Sequence, residues 1–112
     1  MVTAKNMLLS NTEFLPGYTI ARHLGLVQGS TVRAKNVGRD IMAGLKNLVG
    51  GELKGYTELL NESRQEAVDR MVEQARATGA NAIINVRFAT SNIAAGASEI
   101  LAYGTAVQIE QG

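Results

Sequence analysis

The stretch GANAIINVRF, residues 79–88, decides how the chain folds. Gly79 stops whatever precedes it, and the residues after Asn81 read as a strand with the two-residue period of a pleated backbone. On that period Ala82, Ile84, Val86 and Phe88 share one face, and Ile83, Asn85, Arg87 and Ala89 share the other. A strand with apolar residues on both faces must be covered on both, and the second face here also carries an arginine. What covers that face is the question the rest of the chain has to answer.

Upstream of Gly79 lies a long helical pattern, about 52–78, with Tyr56, Leu60, Ala67, Val68, Met71, Val72 and Ala75 as its apolar stripe. A shorter pattern, NVGRDIMAGLKNLVGG, repeats Val37, Ile41, Leu45, Leu48 and Val49 at helical spacing and ends at Gly50-Gly51. Before it, Met7-Leu8-Leu9 reads as a short strand, Pro16-Gly17 as a turn, and 18–33 as an extended stretch with Gly25 and Gly29 marking a bulge or bend. After the opening strand, SNIAAGAS reads as a loop and 99–109 as a last strand, with Leu101, Tyr103, Val107 and Ile109 on one face and Ile100, Ala102, Gly104 and Ala106 on the other. The expected fold is a single α+β domain over 1–112: an antiparallel sheet with two helices on one face, in the order ββααββ.

Two helices can cover one face. The other is expected to carry Ala21, His23, Val27, Ile83, Ala89, Ile100, Ala102 and Ala106, an alternation of large and small apolar residues unlike a solvated sheet face. Either bulges turn some of these inward, or a second copy of the chain covers them. The pattern favours a homo-oligomer with Arg87 pairing at the seam.

Composition narrows the chemistry. The chain has 112 residues and no cysteine, which removes disulfides, thiolate nucleophiles and zinc–thiolate sites. Its net charge is +1 and its lysines and arginines are scattered singly, so no basic patch for nucleic acid is expected. No apolar run is long enough for a membrane span and none has signal-peptide form, which points to a cytoplasmic protein.

Arg64 falls on the apolar stripe of the long helix, where a buried guanidinium needs a carboxylate such as Asp40, Glu58 or Glu99. It reads as part of an anion-binding or acid/base pocket, or as a salt bridge holding elements or subunits in register. Glu99 shares a face with Tyr103, so the two could move a proton, or Glu99 could simply pair with Arg64 or Arg87. Glu62, Glu66, Asp69 and Glu73 form an acidic ridge that could hold a hard cation, but the favoured reading is a solvated helix face with Glu66–Arg70 and Glu73–Arg76 pairs. His23 is the one histidine, too few for a transition-metal site within one chain. The serines lack a nucleophile-elbow context.

Taken in order, VGGELKGYTELL, RQEAVDRM, GANAIINVRF and EILAYGTAV closely resemble the YbjQ-like family of small bacterial proteins, and the likeness runs from about residue 7 to residue 109. The resemblance implies an α+β subunit assembled into a ring-shaped homopentamer, a label of heavy-metal binding, and no catalytic residues. Three readings follow. The first is a non-enzymatic homo-oligomer binding a small ligand or partner, with Arg64, Arg87, Glu99, Tyr103, Asp40 and Tyr56 at a ligand site or subunit interface. The second is a metal-binding module with sites shared between subunits and built from His23, Glu62 and Glu66. The third is an enzyme with an inter-subunit acid/base pocket around Arg64, Tyr103 and Glu99.

Overall fold

A computed structural model of the chain describes residues 2–4, 6–33, 53–94 and 97–112, with side chains over 6–32, 60–92 and 98–112. Five strands form one sheet: β1 (Val2–Ala4), β2 (Met7–Leu9), β3 (Tyr18–Arg33), β4 (Ala82–Ala94) and β5 (Ala97–Gln111), with a single described helix, α1 (Leu53–Ala77), between β3 and β4. Their spatial order is β1-β2-β4-β5-β3.

This corrects the expected fold in three respects. The sheet is mixed, because β2 runs parallel to β4 while the other pairs are antiparallel. The described order is βββαββ, since β1 precedes the strand at Met7. The described residues hold one helix rather than two; the expected helix over 36–51 lies outside them. The ring implied for the subunit is not visible in one chain. The expected loop SNIAAGAS also gives way, for β4 runs on to Ala94 and β5 begins at Ala97.

α1 forms because 60–77 is rich in Ala, Glu, Gln, Arg and Met and holds neither Gly nor Pro. It ends where expected. Gly79 takes φ +88°, its N–H donates to Arg76 O at 3.0 Å, and the Thr78 hydroxyl donates to Ala75 O at 2.6 Å.

The faces of the sheet are decided by bulges. In β4 the pairing steps from Ile84↔Thr105 to Arg87↔Tyr103, so three residues of β4 oppose two of β5. The extra residue sits at Asn85, held at φ +54°, in the left-handed region that Asn enters more readily than most residues. Beyond it the alternation flips, and Arg87 and Ala89 join Ala82 and Ile84 rather than Ile83. Two more shifts in β3, between Ile20 and Arg22 and between His23 and Gly25, put Ile20, His23 and Leu26 on one side and Gly25 and Val27 on the other.

The result reverses the expected coverage. Val27, Ile83, Ile100, Ala102 and Ala106, assigned from sequence to the uncovered face, form the core beneath α1, where they meet Ala67, Val68, Met71, Val72 and Ala75. Small residues among them allow it: Ala102 and Ala106, with Gly29, let the helix lie close on the sheet. Among the described residues the opposite or outer face is covered at one end, where Leu15 closes over Ala82, Ile84, Val107 and Ile109, with Leu8 and Ile20 packed beside them.

Candidate functional site

The open half of the outer face gathers three of the expected site residues, Arg87, Tyr103 and Glu99. Register places it residue by residue. Arg87 on β4, Tyr103 on β5 and Gln28 on β3 lie in one row. Ala89, Leu101 and Ser30 form the next, and Ser91, Glu99 and Val32 the third. Leu26 and Thr105 lie on the other side of the first row. Leu26 is 71% exposed and Val32 53%, while Leu101, Tyr103 and Glu99 are half-buried. A solvated sheet face ordinarily presents polar side chains; this one carries Leu26, Val32, Leu101 and Tyr103 among the polar Gln28, Ser30, Ser91 and Thr105, with Arg87 and Glu99 as its charges.

Arg87 is fixed in place by the loop that follows β2. Its Nη1 donates to Asn11 O at 2.5 Å and to Val86 O at 3.1 Å. The same loop is tied to the bulge, with Asn85 N–H donating to Thr12 O and Val86 N–H to Ser10 O, both at 2.9 Å. So the bulge that turns Arg87 onto the outer face also supplies the backbone donors that anchor its partner loop. In the sheet Arg87 is the cross-strand partner of Tyr103, with roughly 5 Å between their Cα atoms.

Glu99 and Tyr103 share this face, but four residues of strand separate their Cα atoms by about 13 Å. They do not form a proton-transfer pair in one chain. Arg64 is on neither this face nor the buried stripe. It is exposed on α1, and its Nη2 donates to Asn61 Oδ1 at 2.8 Å. The stripe passes through buried Ser63 instead, whose carbonyl accepts from the Thr31 hydroxyl at 3.3 Å. Since α1 lies against the opposite side of the sheet, one chain does not bring Arg64 to Glu99 and Tyr103. Asp40 and the side chain of Tyr56 lie outside the described residues.

The residues considered for a metal do not converge. Among the described residues no three His, Asp or Glu side chains come together. Glu66 on the acidic ridge pairs with Arg70 at 2.5 Å and Glu73 with Arg76 at 3.7 Å, as spacing suggested. Asp69 accepts from Gln65 at 3.0 Å, and Glu62 is exposed. His23, expected half-buried, is exposed on β3 opposite Val107. A soft heavy metal prefers thiolate or imidazole; with no cysteine and one histidine, the donor set of a single chain does not fit one.

Sequence reasoning did not single out Leu26 or Val32. Both keep the parity of Ile20, since the two bulges of β3 cancel beyond Gly25, but the expected coverage set the other parity, that of Ala21, His23 and Val27, on the uncovered face.

A family model described as "Putative heavy-metal-binding" matches residues 7–110. A "UPF0145 protein" of Hahella chejuensis is 67% identical over 93% of this chain and 100% of its own length. Relatives of the same description from Archaeoglobus fulgidus and Thermus thermophilus are 54% and 55% identical, over 94% and 93% of this chain and 97% and 91% of their own. A crystal structure of a DUF74-family protein from Pediococcus pentosaceus shares the fold, with a TM-score of 0.62 at 16% identity, over 95% of this chain and all of that one. No described helix is long and apolar enough to cross a membrane.

Proposed function

The chain belongs to the YbjQ-like family, and from that footing we propose that it is a non-catalytic homo-oligomer of the cytoplasm whose copies meet on the outer sheet face. The observation that carries this reading is the open half of that face, where Leu26 is 71% and Val32 53% exposed on β3, alternating with Gln28 and Ser30, while Leu101 and Tyr103 stand half-buried on the neighbouring strand. Large apolar side chains left exposed together on one sheet face mark an interaction site. A closed assembly of identical subunits buries it without requiring any other molecule. Arg87 and Glu99 then act at the seam, as charges that set the register of one copy on the next. Five copies is the number implied by the family resemblance. A small ligand or a partner protein would be held where copies adjoin, which is also the place where Arg64 could approach a neighbour's Glu99 and Tyr103.

Native mass spectrometry of protein purified without a metal-affinity step tests the reading, together with Leu26→Lys. The wild type should carry several copies per particle, and Leu26→Lys should shift it to smaller particles with an unchanged circular dichroism spectrum. A monomeric wild type, or a Leu26→Lys assembly identical to it, sinks the proposal.

A further inference from the structure

β3 is the last strand of the sheet among the described residues, and it is 16 residues long. One side of such a strand offers a row of backbone N–H and C=O groups to any other extended chain, a second copy of this protein above all. At its middle those groups are already engaged. Gln28 N–H donates to Gln74 Oε1 at 2.7 Å, and Ser30 O accepts from Arg70 Nη1 at 2.5 Å. Residues 28 and 30 are two apart, so their backbone groups point the same way, and two side chains of α1 one turn apart reach both. Arg70 is itself braced by Glu66 Oε1 at 2.5 Å.

The reach depends on Gly29. A Cβ there would stand 2.3 Å from Ala67 O and Met71 N and 2.7 Å from Arg70 Cβ, so the helix rests directly on the backbone of β3. From that position Arg70 and Gln74 extend past the strand to its rim. Toward the start of β3 the two bulges interrupt the regular row of edge groups. At the far side of the sheet, β1 is only three residues long.

We propose that Arg70 and Gln74, with Glu66 as a brace, are an edge guard: they close the middle of β3 to strand addition by another copy and so restrict self-association to the outer face. The claim reaches beyond the proposed assembly and does not need it. Loss of the guard adds a β3-to-β3 contact between particles, which pairs monomers into dimers and joins oligomers that carry several such edges into larger growing particles.

The test compares wild type, Arg70→Ala/Gln74→Ala, and the conservative Arg70→Lys/Gln74→Glu, which keeps a donor at 70 and an acceptor at 74. Hydrogen–deuterium exchange of peptides covering 24–32 reads the edge. Light scattering against concentration and thioflavin T fluorescence read growth. The double alanine variant should exchange about tenfold faster over 28–30 and grow with concentration into thioflavin-positive particles larger than wild type. The conservative variant should match wild type in both. Unchanged exchange in the alanine variant, faster exchange without growth, or a conservative variant that behaves like the alanine one each overturns the proposal. Should the double alanine variant fail to fold, Gln74→Ala against Gln74→Glu carries the same comparison, because alanine is the better helix former and a purely helical role would favour it. The wild-type subunit number, read from the same light scattering, judges the outer-face reading separately.

Discussion

Gly29 of β3 and Met71 of α1 touch backbone to backbone: a methyl group at 29 would lie 2.3 Å from the Met71 amide nitrogen. No real Cβ approaches so near, and both parties are main chain, so neither can rotate away. The contact sets the distance between helix and sheet, and with it the fit of Ala67, Ala75, Ala102 and Ala106 in the core. Gly29→Ala must lift the helix or shift the strand. The expected cost is about 3 kcal/mol, at the upper end for overpacking, read as a lower urea midpoint at an unchanged m-value.

Asn85 carries the bulge that turns Arg87 outward, and it does so at φ +54°. Glycine adopts that conformation without strain, while a β-branched residue is an outlier there. Asn85→Gly should leave stability within about 0.5 kcal/mol of wild type, and Asn85→Val should cost about 1–3 kcal/mol. Chemical denaturation of the pair checks it; equal effects would mean that the side chain, not the backbone angle, matters at this position.

Asn81 stands in for a strand residue. Its Nδ2 donates to Ile109 O at 3.1 Å and its Oδ1 accepts from Ile109 N–H at 2.8 Å, while its own N–H donates to Val107 O at 3.2 Å. Asn81→Ala removes both side-chain bonds and leaves the Ile109 groups without them. A loss of about 1–3 kcal/mol is expected, together with faster amide exchange at Ile109. An unaltered exchange rate there would show that water replaces the amide at no cost.

Arg64 should contribute little to the stability of the subunit, since it is exposed and its hydrogen bond to Asn61 lies on the helix surface. Arg64→Ala should change unfolding free energy by no more than about 0.5 kcal/mol. A larger loss in the isolated chain would restore it to the core that its sequence spacing suggested.

Metal ions are expected to leave the thermal midpoint where it is. Zinc, nickel, copper, calcium and magnesium, each added after chelation, have no three-ligand cluster among the described residues of one chain. A binding ion raises the midpoint by mass action. A saturable rise with any of them, abolished by His23→Ala, would point to a site built from several copies.

The helix and most strands could be read directly, because they rest on local signals. Gly79 ended α1, β3 covers the residues its extended pattern marked, and the strand at Met7 was visible from three apolar residues. The site was legible only in part. Arg87, Glu99 and Tyr103 share a surface, although simple alternation set Arg87 on the face opposite the other two, and Arg64 lies elsewhere because Ser63 takes the buried position on the stripe. Leu26 and Val32 went unnoticed since alternation separates the two faces of β3 without saying which of them the helix covers.

What the sequence determined by itself is the kind of element at each position and the exclusion of thiol chemistry, both properties of residue type and short spacing. Which face of the sheet the helix covers was decided only in three dimensions. The inserted residue at Asn85 reverses the side chains of β4 from Arg87 to Asn92, whereas the two insertions of β3 flip Arg22 and His23 and cancel from Gly25 on. Close packing then selects the face of alanines and glycines for the helix, and the larger leucine, valine and tyrosine are left on the side that faces outward.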